Sequence, residues 1–526
     1  MRRTFPLLLM PLALAAQDSR CLVEGMVANA ATGEALHRAV VTLRRTGSVS
    51  GASGPTSYTA STDPLGKFAI ADIDPGIYLL SAERNGFAPA RDTTRIKLDR
   101  GQKSTGQMVL LPPHAVITGK ITDEDGEPVI GADVQVSTLS YSQGRKQLSR
   151  AGGATTNDLG EYRAFGLAPG KYWVSATARS NPVLPAQEEF TTTYYPRTTD
   201  AGSAMSLEVA AGAQLRNIDI TLARVRTVSV RGKISTEIEG EKRIVNVMLL
   251  PGMVMGIASM VGGHARRRSA CRWQLRDCSV APGTDTLQGM ANVDGKSHAA
   301  PIPLQVGSTN IENLQLTIRA GATINGKLRL EGRPEQDLAV YSVGLQVWES
   351  GGVLFNSLPA VKTQTDGSFQ LTDLGVDHYG FFVNGLPEGH YLKSVRSGGT
   401  DVLVSGLEVS GGAAPLEVLI SPNAGGLEGT AMDPRSQKPA AGARVVLVPQ
   451  SKERAELYRA VEADDAGRFR FKTVVPGEYR VYGWETVLQY AWMDPDVMRP
   501  LKNKGEAVSI LEGSPQSVQV SIIVGR

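Results

Sequence analysis

Six histidines, at positions 37, 114, 264, 298, 378 and 390, are the first places to look for metal or acid–base chemistry. None stands in His-Glu-x-x-His or His-x-x-Glu, and no two share one strand at ligand spacing. The nearest pair, His378 and His390, flanks what reads as an insertion and is the one pair placed to share a metal. There is no Gly-x-Ser-x-Gly elbow, no phosphate-cradling glycine loop and no Cys/His nucleophile pair. Asp123-Glu-Asp125-Gly126 lacks the ligand series of an EF-hand loop and reads as a hairpin turn. The expectation is a chain without catalytic residues, metal or cofactor.

Aromatic residues are the other chemistry on offer. Trp484, Tyr490 and Trp492 lie in one loop-like stretch, with Glu485, Asp494 and Asp496 beside them, and Tyr194-Tyr195-Pro196 forms a second loop cluster. Exposed rings stack on the apolar faces of sugars, and neighbouring carboxylates accept hydrogen bonds from hydroxyls, so both clusters are candidate glycan sites. The competing reading makes the first cluster a plug over one end of its domain, above a short helix capped by Asp494, with Pro495 as its first residue and its end before Gly505. Trp484 is assigned to the plug, and Tyr490 and Trp492 are expected to be exposed.

The elements that carry these residues are repeated. Gly66, Phe68, Ile73, Pro75, Gly76 and Tyr78 return as Gly160, Tyr162, Leu167, Pro169, Gly170 and Tyr172, and again as Gly467, Phe469, Val474, Pro476, Gly477 and Tyr479. An Asx-Gly turn, an alternating strand, a second turn and another strand make a hairpin with one buried face. A second element opens each unit: an apolar residue, any residue, Gly, any residue, apolar, centred on Gly25, Gly119, Gly232, Gly326 and Gly429. The spacing of about one hundred residues is too long for a solenoid and describes tandem domains. Strand spacing and the near absence of helical period predict an all-β chain of five antiparallel β-sandwiches over 17–112, 113–226, 227–320, 321–423 and 424–526.

Two units depart from the plan. The fourth has Asp366-Gly-Ser-Phe but is read as reaching its Pro-x-Gly-x-Tyr, ending at Tyr391, only after an insertion. The third carries an arginine cluster and two of the three cysteines in 256–279, read either as a basic insertion or as coding-frame damage, and expected to be irregular. Cys271 and Cys278 are close enough to join in an oxidising compartment, which would leave Cys21 free.

The opening G-x-V/I-x-D, the later Gly-Ala-x-V, D-x-x-G-x-F/Y and P-G-x-Y resemble the carboxypeptidase regulatory-like domain. The match is closest in units one, two and five. The resemblance implies a transthyretin-like, Ig-like sandwich, grouped by shape with carbohydrate-binding folds, and no single activity. Trp484-Glu485 and Asp494-Pro-Asp496 resemble the last domain of secreted multi-repeat proteins common in acidobacteria.

Residues 1–16, with Arg2, Arg3 and an apolar run, read as a secretory signal peptide. No lipobox precedes Cys21, and no later segment reaches the roughly 20 apolar residues of a membrane span. Export to the periplasm, cell surface or medium is expected. With 55 basic residues against 52 acidic, net +3, a dedicated nucleic-acid surface is not expected. Two readings of function remain: a non-catalytic glycan-binding protein, or a structural or adhesive envelope rod that binds a protein partner.

Overall fold

A computed structural model describes residues 20–45, 57–90, 94–142, 145–178, 188–239, 243–251, 274–280, 282–293, 296–332, 337–347, 359–410, 414–451 and 454–524. The predicted signal segment lies outside them. The chain is all-β, and among the described residues its helices are single turns such as Val402–Ser405 and Pro495–Met498. It divides into two compact units. One runs to residue 222, and the other runs from 223 onward and takes in 138–150 and 180–191.

In the first unit, Lys67–Ile73, Cys21–Asn29 and Lys103–Leu111 form one sheet, and Ser57–Ser61, Val40–Arg45, Gly76–Glu83 and Thr94–Leu98 the other. Val23, Val27, Val41, Leu43, Phe68, Ile70, Tyr78 and Leu80 alternate inward from both sheets to make the core. Residues 115–222 repeat this arrangement, as do 228–318 and 322–421 in the second unit, while in 425–523 the two layers are joined into one seven-stranded sheet where Gly477–Trp484 meets Pro515–Ile523. Pairing is antiparallel apart from one parallel contact common to every sandwich, and a second in the fifth, where Gly483 and Trp484 lie parallel to Ile522 and Ile523. The opening and closing strands run parallel, as in Val27 opposite Val109 and Gly429 opposite Val518. The chain therefore enters a sandwich at one end and leaves at the other, which lets short junctions link one to the next.

The opening glycine and the hairpin aromatic turn out to be two halves of one contact. Gly25 pairs with Phe68, Gly119 with Tyr162, Gly326 with Phe369 and Gly429 with Phe469. Each ring lies across its glycine, so the aromatic packs where a side chain is missing. On the other flank the closing strand approaches so closely that a Cβ on Gly119 would lie 2.1 Å from the Ile218 carbonyl oxygen. The hairpin glycine has a different reason. Gly66, Gly160, Gly367 and Gly467 all have φ between 70° and 80°, a region costly for other residues. Their carbonyls accept from Val27, Ile121, Leu328 and Ala431 at 2.8 Å. The Asx residue before the turn accepts twice, Asp63 Oδ1 from the amides of Leu65 and Lys67 at 2.9 and 2.8 Å.

The tyrosine of P-G-x-Y also has one recurring task. Its hydroxyl donates to the carbonyl four residues earlier: Tyr78 to Asp74 at 2.7 Å, Tyr172 to Ala168 at 2.7 Å and Tyr479 to Val475 at 2.8 Å. In the fourth sandwich Tyr379 does the same to Gly375 at 3.0 Å. This corrects the sequence reading of that unit. Val376-Asp377-His378-Tyr379 holds the place of P-G-x-Y without any insertion before it. The extra residues come afterwards, at 385–406. The third sandwich is corrected too: Gln274–Val280 is a strand, with Leu275 at the register position that faces Gly232. The expectation of irregular structure therefore fails for 274–279, and 256–273 lies outside the described residues. The Cys271–Cys278 bridge involves Cys271, which is outside the described residues. Cys21 is buried and free.

Burial pushes the hydroxyls of Tyr78, Tyr379 and Tyr479 up to about 12, against an ordinary value near 10. A raised folded value means the native state keeps protons that the unfolded chain loses, so this stability is complete below pH ~10 and disappears as pH rises to ~12. A phenolate absorbance titration should show a class of tyrosines ionising near pH ~12 together with unfolding. Ionisation of every tyrosine near pH ~10 in a folded protein would contradict these burials.

Candidate functional site

The strand that starts at Gly76, Gly170, Asp377 or Gly477 pairs with a return strand in the same register each time: Gly76 opposite Leu98, Gly170 opposite Val209, Asp377 opposite Val409, Gly477 opposite Ile510. What differs is the connection between the two strands. It spans 84–93 in the first sandwich, 178–205 in the second, 385–406 in the fourth and 485–505 in the fifth. In the third, the strands Gly283–Val293 and Lys296–Val306 are joined by 294–295 alone. Apart from Trp484, which ends the strand before it, every candidate ring and carboxylate singled out from the sequence falls in this one connection.

In the fifth sandwich the connection folds over the outer face of its own sheet. Val445, Leu447, Tyr479 and Val481 point into the sandwich core, while Val446, Val448, Tyr482 and Trp484 point the other way. Trp492 and Met498 close over that outer face, with Val487, Met493 and Leu501 packed around them. The plug therefore covers a sheet face rather than the end of the sandwich. Its helix is as expected: Asp494 caps it by accepting from the Asp496 amide at 2.7 Å, and Pro495 is its first residue.

The structure separates the predicted site residues. Trp484 is buried, stacked on Tyr482 with centroids 5.5 Å apart. Trp492, expected to be exposed, is only 5% so, because its ring supplies the apolar cover that Val446 and Val448 require. Tyr490 is 41% exposed, in a left-handed conformation, with its ring 5.9 Å from Trp492. The carboxylates already have partners: Glu485 with Arg435 at 3.3 Å, Asp496 with Arg499 at 2.7 Å, and Asp494 as the cap. One further ring, missed in the sequence, is Tyr141. Burial, and then the charges of Asp494 and Asp496, raise its hydroxyl above the ordinary value. Only long-range placement reveals it, since the residues around 141 carry no motif.

Tyr194 and Tyr195 do not stand in an open loop. Thr193–Tyr194 is a short strand on Gly170–Thr177, Tyr195 donates its amide to Val174 at 2.9 Å, and both side chains are half-buried. Burial and Asp200 raise the Tyr194 hydroxyl. The two nearest histidines are not brought together. His378 Nε2 lies 2.6 Å from the Ser405 carbonyl, and His390 Nδ1 lies 3.3 Å from that of Glu388. Among the described residues no group of three His, Cys, Asp or Glu is placed to hold a metal.

Residues 23–111 and 116–223 match the carboxypeptidase regulatory-like domain family. No curated protein matches the chain. Solved structures with some likeness include the minor pilin GBS52 of Streptococcus agalactiae, 13% identical, covering 40% of this chain and 97% of its own, TM-score 0.24. The shaft pilin SpaA of Lactobacillus rhamnosus GG is 12% identical over 39% of this chain and 97% of its own, TM-score 0.21. The Bacillus anthracis TIE protein is 10% identical over 93% of this chain and 68% of its own, TM-score 0.16. Scores this low carry no argument.

Proposed function

On the premise that the chain carries two carboxypeptidase regulatory-like domains, at 23–111 and 116–223, we propose that it is an exported, non-catalytic, multidomain structural or adhesive protein that binds a protein partner at the cell envelope. One observation favours this over glycan binding. The rings that would stack on sugar are turned inward in the fifth sandwich, and their carboxylates are engaged in a helix cap and two ion pairs. What remains on the surface there is Tyr490, a single ring where a sugar site wants a platform.

The two readings separate in one pair of experiments on the mature protein. A pull-down from an envelope extract should retain one protein reproducibly, and a glycan array should stay blank. Specific retention of a sugar, abolished by Tyr490→Ala, would overturn this reading and establish the other.

A further inference from the structure

In the first and fourth sandwiches the variable connection lies at the end from which the chain leaves, beside the sandwich that follows within the same unit. In the first sandwich 84–93 already holds the junction: the His114 amide donates to Gly86 at 2.9 Å and Ala88 donates to Pro112 at 2.8 Å. In the fourth sandwich 385–406 goes further. Tyr391–Ser397 adds itself antiparallel to the closing strand Leu416–Ser421, covering that edge of the sheet. Gly389 then donates its amide to Thr473 Oγ1 of the fifth sandwich at 2.9 Å and accepts from Ala424 in the junction at 2.9 Å. Lys393 Nζ sits 2.8 Å from Glu331 Oε1 in its own sandwich and 3.0 Å from Glu512 Oε1 in the next. Tyr391 donates to that same Glu512 oxygen at 3.0 Å, and Lys472 pairs with Glu388 at 3.1 Å.

We propose that 385–406 is a brace that joins the fourth and fifth sandwiches into one stiff body, with Lys393 as the group that closes it. A lone exposed ion pair contributes little. Here one ammonium serves carboxylates from two sandwiches, on a strand whose backbone is fixed in the sheet, next to two backbone-anchored hydrogen bonds. Opening the junction breaks all of them together. The charges reinforce each other: the two glutamates raise Lys393, and hydrogen bonds from Lys393 hold Glu331 and Glu512 below the usual carboxylate range.

The test is hydrogen exchange of the full-length protein, comparing wild type with Lys393→Met and Glu512→Gln. Both variants should exchange the amides of Gly389 and Ala424 about tenfold faster, as a local opening does. The strands Ala322–Leu330 and Arg444–Pro449 should keep wild-type protection. High salt should speed the same two amides in the wild type. Unchanged exchange at Gly389 and Ala424 in both variants would overturn the proposal. If Lys393→Met also loosens Ala322–Leu330, Glu512→Gln decides, since it leaves Lys393 its partner within the fourth sandwich.

Discussion

Replacing Gly429 by alanine should unfold the fifth sandwich or cost it about 3 kcal/mol or more, the upper range for overpacking. A Cβ there would lie 1.9 Å from the Val518 carbonyl oxygen and 2.7 Å from Phe469 Cζ. The ring can turn, but the carbonyl belongs to the neighbouring strand and cannot move without parting the parallel ladder. Gly426 is the internal control. It sits on the same strand, and its added Cβ meets nothing closer than 3.6 Å. Gly426→Ala should be neutral or stabilising by about 0.4–1 kcal/mol, because alanine restricts the unfolded chain. Denaturation of the full chain, with exchange read at Gly425–Met432, compares the two. Equal stability of both variants would show that the close approach of the closing strand is not what requires glycine.

Trp492→Ala should cost the fifth sandwich about 3–5 kcal/mol, the usual effect of truncating a buried tryptophan. The loss leaves a cavity in the cluster that Trp492 forms with Val446, Val448 and Tyr482. Tyr490→Asn, which suits the left-handed backbone at that position, should change stability by about 0.5 kcal/mol or less, as surface substitutions do. Thermal unfolding followed by tryptophan fluorescence reads both. A Trp492→Ala protein with unchanged melting would mean the ring is not part of a core, which would return it to the candidate binding residues.

The burial of Trp492 had a signal in the chain. Val-Val-Leu-Val-Pro at 445–449 is an unbroken apolar run, whereas the burial of the matching strand Val40–Arg45 alternates. A strand apolar on both sides is buried on both sides, so something had to cover the second face of 444–449. The sequence does not say what, because the cover comes from a connection with no period of its own. The Asp494 cap was legible for the opposite reason: cap, proline and helix are consecutive residues.

The same division runs through the whole chain. The repeated glycines, aromatics and tyrosines were readable because each answers a steric or hydrogen-bonding demand that admits few residue types, so the demand shows in the letters. That the glycine and aromatic motifs meet across one strand pair was not readable, nor was Tyr379 as the fourth tyrosine, since Val376 and Asp377 replace Pro-Gly where the turn tolerates other residues. Sequence alone determined the five sandwiches and the hairpin at the centre of the first, second and fifth. Tertiary structure alone decided the parallel closing strand, the inward turn of Trp492 and the partners of Lys393. These depend on which surfaces meet over long sequence separations, and a surface contact between ordinary lysines, glutamates and backbone amides leaves no pattern in the chain.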